Sequence, residues 1–473
     1  MVFNSVIFVL FFVVVVALHY IPFPWRIKKT NLLFASYFFY AAWNPPFVIL
    51  LWISTCVDWF AAGQMHKQSK LRNRRLLLIL SLIVNLGMLS WFKYGMLFMQ
   101  TYADIVAQFG YNWTIPDFNI ILPVGISFYT FQTLSYTIDV YLKRSAPETS
   151  FLDFALFVTF FPQLVAGPIV RPKQLLPQFK SPRQATLREF SWGAFLFTWG
   201  LFQKSVLADS VCARISSHAF GFQEEMFVLD AWVSVLAFSG QIFFDFAGYS
   251  LCAIGVALCL GFSIPNNFKS PYAALGFSDF WRRWHISLSE WLRDYLYIPL
   301  GGNKKGPRRT LINLMLTMLL GGLWHGASWR FVVWGGVHGV FLIIERLLRG
   351  RILPNIDWSN FIPRFVGTLF TYTAVSLTWV FFAAPTWESC EIVFASLIGQ
   401  TTNPLSVMRM VELVLVSLVV LGMLIGHWVM RNRRIEDLAQ ATPNSIFCLI
   451  WVILLVFIIL TGESDNAFIY FQF

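Results

Sequence analysis

Ile446–Leu460 reads IFCLIWVILLVFIIL without a single charged side chain, and Val6–Leu18 (VIFVLFFVVVVAL) and Leu413–Ile425 (LVLVSLVVLGMLI) repeat the pattern. With their mild flanks, such runs approach the roughly 20 residues that span a bilayer core. In lipid they survive only as helices, where each backbone N–H and C=O finds its partner inside the segment. They set the fold class: an all-α polytopic membrane protein. Composition agrees, because 57% of the 473 residues are hydrophobic, 18% aromatic and only 12% charged, against about a quarter charged in a soluble domain. A water-soluble fold cannot hide that much apolar surface.

The net charge of +11 could suggest nucleic acid, but the basic residues sit in short clusters between apolar runs, at Arg26–Lys29, Lys67–Arg75, Lys304–Arg309, Arg346–Arg351 and Arg431–Arg434. That is the positive-inside distribution of a membrane protein, and no nucleic-acid partner is expected. The first apolar run has no basic stretch before it and no small-residue cleavage pattern after it, so it reads as a retained helix. Cys56, Cys212, Cys252, Cys259, Cys390 and Cys448 lie mostly within apolar segments and form no CxxC pair. They read as ordinary buried thiols, and no metal site is expected.

With basic loops taken as cytoplasmic, the N-terminus starts outside and a helical hairpin turns near Asn44-Pro45-Pro46. Further helices are expected near 76–98, 120–142, 151–166, 190–208 and 228–260, then from about 304 to Leu320, up to Arg346–Arg351, and near 362–383, 411–430 and 444–461. One span after Arg431–Arg434 puts the C-terminus outside. Val165–Arg188 holds four prolines and several basic residues, and reads as a loop, either against a protein-lined vestibule or simply at the surface. Over 276–302, Trp281, Trp284, Leu288, Trp291 and Tyr295 form an apolar stripe at helical spacing, with Arg282, Arg283, Glu290, Arg293 and Asp294 on the remaining surface. This predicts a helix in or near the interface, which could be a plain anchor.

The seven histidines differ. His66 adjoins a basic loop, while His19, His218, His338 and His427 are isolated in or near apolar helices and suit hydrogen-bonded structural roles. His325 falls in Gly321-Gly322-Leu323-Trp324-His325-Gly326, which reads as a helix break. An ionisable group at membrane depth is a functional candidate by default, and a neutral imidazole between glycines could serve as a general base toward a hydroxyl. His285, near Glu290 and Asp294 in sequence, is the second candidate. No HExxH, GxSxG or Walker pattern connects them to a zinc protease, serine hydrolase or nucleotidase.

Phe280–Asn303 (FWRRWHISLSEWLRDYLYIPLGGN) followed by Thr317–Gly326 (TMLLGGLWHG) resembles the membrane-bound O-acyltransferase family, MBOAT, in its bacterial alginate O-acetyltransferase-like branch. The likeness extends to LPVGISFYTFQ at 122–132, FFPQLVAGPIVRP at 160–172, FDFAGYS at 244–250 and FIYFQF at 468–473. It implies one membrane-embedded domain over 1–473, a bundle of about eleven helices with re-entrant segments around a central tunnel, a catalytic core segment at 276–345 and an extracytoplasmic tail at 462–473. By the family pattern His325 takes the place of its near-invariant histidine and His285 the second polar position. Asp294, Asn313 and Trp324 would support them.

The resemblance further implies that acetyl-CoA is the acyl donor, with no bound cofactor, and that Arg171, Lys173, Arg282 and Arg283 could bind this polyanion, although basic residues near cytoplasmic loops are expected for topology alone. The chain would lie in a bacterial cytoplasmic membrane, surrounded by membrane lipid. It would pass acetyl groups to an extracytoplasmic transferase of the SGNH type within a polysaccharide-synthesis or export complex, for O-acetylation of alginate, cellulose or peptidoglycan. The ending with Tyr470 resembles the C-terminal tyrosine motif of a small companion peptide in the D-alanylation system, which implies an acyl relay; an aromatic interface anchor is the alternative. D-alanyl transfer to teichoic acid and transport without covalent chemistry remain competing readings.

Overall fold

The computed structural model describes residues 1–115, 120–165, 167–349, 356–462 and 468–469. Among the described residues the regular structure is helical, with no β-strand and one isolated parallel bridge between Met226 and Leu405. Among the described residues seven helices have the length and hydropathy of a membrane span: Pro45–Lys67, Leu71–Gln108, Val228–Cys259, Trp329–Arg349, Phe361–Ala383, Met410–Val429 and Asn444–Thr461. The protein is a multi-pass membrane protein. The roughly eleven implied by the family likeness would require shorter or interrupted helices, such as the apolar Val6–Tyr20, to count as spans.

The chain packs as two compact units. The first comprises Met1–Ala194, Ala253–Pro265 and Gly326–Ser328. Its helical hairpin Trp25–Ala41 and Val48–Lys67 turns at Pro45–Phe47, where the Asn-Pro-Pro sequence predicts it. Helices Val48–Lys67, Leu71–Gln108 and Ile126–Tyr141 are pinned by a buried polar network. Asn85 Nδ2 donates to Asp58 Oδ2 at 2.9 Å, Ser54 Oγ donates to Asn85 Oδ1 at 2.7 Å, and Thr133 Oγ1 donates to the same oxygen at 3.3 Å. Polar groups at this depth are costly unless they satisfy one another, so the network fixes which helix faces meet. The segment expected as a loop over 165–188 contains a helix, Pro172–Phe179. Pro172 suits its first turn, where a missing N–H costs nothing, and Gln174 Oε1 caps it by accepting from Arg171 N at 3.0 Å.

The second unit comprises Phe195–Cys252, Asn266–His325 and Trp329–Phe473. It contains the closely packed hairpin of Pro307–His325 and Trp329–Arg349. Gly321-Gly322 does not break the first of these helices, which runs on to His325. A Cβ on Gly322 would lie 2.2 Å from Phe331 O, and one on Gly335 would lie 2.2 Å from Met318 O. The glycines are there for contact: each backbone fits where the other's side chain would stand, as small residues allow between membrane helices.

The helix expected over 276–302, by contrast, is interrupted. Phe277–Arg283 ends, Trp284 and His285 turn the chain, Ile286–Leu292 follows, and Arg293–Tyr297 winds as a π-helix. Two of the thiols depart from the expectation of burial: Cys212, Cys252, Cys259 and Cys390 are buried, but Cys56 and Cys448 are exposed. Both lie on span-length apolar helices, where an outward face meets lipid tails that accept a small apolar side chain.

Candidate active site

His285 and His325 come together in the second unit, with ring centroids 6.3 Å apart, although 40 residues separate them in sequence. His325 is the last residue of its helix, 2% exposed, and its ring is edge-on to Trp334 at 5.0 Å and to Trp324 at 5.1 Å, with Phe382 at 5.6 Å. The glycine contact between the two hairpin helices therefore sets where His325 stands against Trp334. His285 is fully buried, with Phe246 at 4.6 Å and Trp324 at 5.8 Å. Trp324 thus borders both imidazoles.

The backbone at His285 has φ +40°, a left-handed conformation that costs of order 1–3 kcal/mol in a residue with a Cβ and persists only when its surroundings impose it. Asn267 does so. Its carbonyl accepts from Ile286 N at 2.9 Å, and its Oδ1 accepts from Ser287 Oγ at 2.6 Å. On the other side Trp284 N donates to Phe280 O at 2.8 Å. Held by Asn267 just past the end of the preceding helix, the turn does not continue as helix, and it leaves the His285 ring 6.3 Å from that of His325. Sequence reading missed Asn267 because nothing local marks it; its partners lie about 20 residues away.

The remaining candidates are placed differently. Asn313 is fully buried, and its Nδ2 donates to Gly302 O at 3.1 Å. It holds the turn before its helix, and at about 1.5 Å rise per residue it stands some 18 Å along the helix from His325. Asp294 pairs with Arg293 Nε at 2.7 Å. Of the expected donor-binding residues, Arg171 and Lys173 belong to the first unit, with Arg171 buried and Lys173 exposed. Arg282 and Arg283 belong to the second. The Arg282 side chain is 65% exposed and lies 3.7 Å from Asp279 Oδ1. Arg283 is engaged structurally, with Nε 3.0 Å from Asp279 Oδ2 and Nη1 donating to Arg431 O at 2.9 Å. Tyr470 lies outside the described residues.

Three of the isolated histidines have structural settings. His19 Nε2 is 3.1 Å from Arg183 O, His338 Nε2 is 3.0 Å from Thr378 Oγ1, and His427 lies edge-on to Phe243 at 4.4 Å. His218 and His66 are exposed.

What the arrangement offers is a pair of imidazoles in an aromatic enclosure that keeps water away, as base-assisted acyl transfer demands. Residues 142–384 match the model of the MBOAT, membrane-bound O-acyltransferase family. The chain belongs to that family. As a membrane-bound O-acyltransferase it is an enzyme that transfers acyl groups to oxygen. It is 38% identical to the probable alginate O-acetylase AlgI of Pseudomonas putida, over 100% of both chains. It is 38% identical to the peptidoglycan O-acetyltransferase of Helicobacter pylori, over 78% of this chain and 74% of that one. The teichoic acid D-alanyltransferase of Bacillus subtilis is 29% identical over 52% of this chain and 65% of its own.

Proposed function

We propose that this membrane-bound O-acyltransferase takes acetyl from cytoplasmic acetyl-CoA and delivers it across a bacterial cytoplasmic membrane for O-acetylation of an exported or cell-wall polysaccharide. The observation that carries the reading is the buried His285–His325 pair, 6.3 Å apart, in a chain whose full-length relative is a probable alginate O-acetylase. His325 acts as the base. It takes the proton of an attacking hydroxyl, the oxygen adds to the thioester carbonyl, the C–S bond breaks, and the departing thiolate receives the proton. His285, held by Asn267, orients the carbonyl or the attacking group from the opposite side.

The hydroxyl we assign to the first transfer is the Tyr470 phenol. With a pKa near 10 in the unperturbed state, it requires such a base. The acetyl-tyrosine ester then passes the group to an extracytoplasmic SGNH-type transferase on a C-terminal tail outside the membrane. Two described residues just before Tyr470 support this assignment: Phe468 and Ile469 are 1% and 3% exposed, and Phe468 lies 5.8 Å from Phe246, itself 4.6 Å from His285.

The test is transfer from labelled acetyl-CoA by the full chain in vesicles. His325→Ala should lose about a hundred- to ten-thousand-fold, and Tyr470→Phe should lose transfer to the glycan while keeping its ring. Near-normal acetylation by equally expressed His325→Ala would overturn the enzyme assignment of that residue. Transfer from carrier-linked D-alanine in place of acetyl-CoA would move the substrate reading to teichoic acid.

A further inference from the structure

FDFAGYS at 244–250 places a carboxylate, Asp245, inside helix Val228–Cys259, only 2% exposed. A charge at such depth is retained when it has a partner and a task. Its Oδ1 is 2.5 Å from Lys204 Nζ, and the same ammonium is 2.8 Å from Asp209 Oδ1. Lys204 and Asp209 lie on Phe202–Ala213, a π-helix whose i→i+5 bonding suits a contact between residues five apart. Gly248 meets the π-helix directly, since a Cβ there would come within 3.0 Å of Lys204 N, and this brings the two helices near enough for the ammonium to reach across.

The second carboxylate oxygen is used elsewhere. Asp245 Oδ2 accepts from Ile469 N at 2.7 Å, a bond spanning 224 residues of sequence. Next to it, Phe468 packs against Tyr249 at 4.6 Å and against Phe246 at 5.8 Å. The residue after Asp245 is thus the ring that separates this C-terminal segment from His285.

We propose that Asp245 is a positioning residue that docks Phe468–Ile469 across the Phe246 ring from His285, with Lys204 and Asp209 holding its carboxylate in orientation. The docking stands on the contacts above; its consequence for acyl transfer rests on the function proposed in the preceding subsection.

The experiment uses the full chain with Cys56→Ser and Cys448→Ser to remove the exposed thiols, and Ile469→Cys as the probe. Purified protein in detergent is modified with a maleimide-polyethylene glycol, and the rate is read as a gel shift. The probe should react slowly in the parent and at least tenfold faster in Asp245→Ala, with Asp245→Asn, which keeps one acceptor oxygen, between them. Buried Cys212 should stay unreactive throughout, which separates local release from unfolding.

An unchanged rate in Asp245→Ala, at equal expression and thermal stability, overturns the proposal. Should Asp245→Ala fail to fold, Phe468→Ala leaves the ion cluster intact and should speed the reaction likewise; an unchanged rate there overturns it too. Failure of the relay is read separately. Full glycan acetylation by Tyr470→Phe sinks the relay whatever the maleimide rates, whereas lost acetylation in Asp245→Ala with a parent-like rate sinks the docking role alone.

Discussion

Gly322→Ala adds one methyl group at the point where the hairpin helices touch. The new Cβ would meet Phe331 O at 2.2 Å and Gly335 Cα at 3.0 Å, whereas ordinary contact begins at 3.4 Å. The deficit is about 1.2 Å against backbone atoms, which have no rotamer to escape into. The helices must separate or slide by about that amount, and overpacking of this kind costs roughly 1–3 kcal/mol. His325 follows Gly322 by three residues on the same helix, and Trp334 directly precedes Gly335 on the other, so the shift is passed to the imidazole and the indole that faces it. A displacement of about 1 Å in a catalytic group can cost about a hundredfold in rate. The assay pairs thermal unfolding in detergent with acetyl transfer from labelled donor. Gly87→Ala is the control, because nothing lies within 4 Å of its added Cβ; there the variant should gain up to about 1 kcal/mol from helix propensity. A Gly322→Ala protein that melts and turns over like the parent would refute the claim that the glycine contact sets the histidine.

Asn267→Ala removes the acceptor of Ser287 Oγ and N, and with it about 1 kcal/mol per hydrogen bond. Turnover should fall more than tenfold with donor KM little changed, and a rise in KM alone would count against its role in orienting His285. Arg282→Glu, on a side chain 65% exposed, should weaken donor binding and flatten its salt dependence; unchanged affinity at low and high salt would remove Arg282 from the donor site. Glu225 accepts from the backbone N–H groups of Asn403 and Thr402, which holds its carboxyl below the usual glutamate range. A depressed folded pKa contributes stability that is full above the unfolded value, about 4.3, and is lost as pH falls through the lower folded value. Limited proteolysis near Thr402 should therefore accelerate on acidification below that range in the parent, while Glu225→Gln should be cleaved faster already at neutral pH and show little further change.

The spans were legible because lipid makes hydropathy a local property. Val228–Cys259, Phe361–Ala383, Met410–Val429 and Asn444–Thr461 stand within about two residues of where their apolar runs place them. Glycine was misread for the opposite reason. Whether Gly321-Gly322 breaks a helix or seats another depends on Phe331 and Gly335, outside the window that a sequence reader scans. The two histidines could be singled out as ionisable groups among apolar and aromatic neighbours. Their meeting could not, because it depends on the turn at His285 that Asn267 imposes from a separate stretch of chain. The same holds for Asp245, which stands mid-way along a mostly apolar helix, and whose partners come from the π-helix and from Ile469.

The indoles around the histidine pair form a connected series: Trp281 lies 5.8 Å from Trp334, Trp334 is stacked on Trp379 at 5.6 Å and 22°, and Trp379 lies 5.2 Å from Trp284. Rings that close and that fixed in mutual angle couple their electronic transitions, and a near-ultraviolet dichroism signal of this kind survives only while side-chain packing is rigid. The site thus carries its own optical gauge. Trp379→Phe keeps an aromatic ring but removes the shared partner, and should erase much of that signal without altering the helical far-ultraviolet spectrum. If the donor thioester proposed above binds at this site, titrating the parent with it should change the coupled band, and an unchanged band at saturating donor would count against binding there.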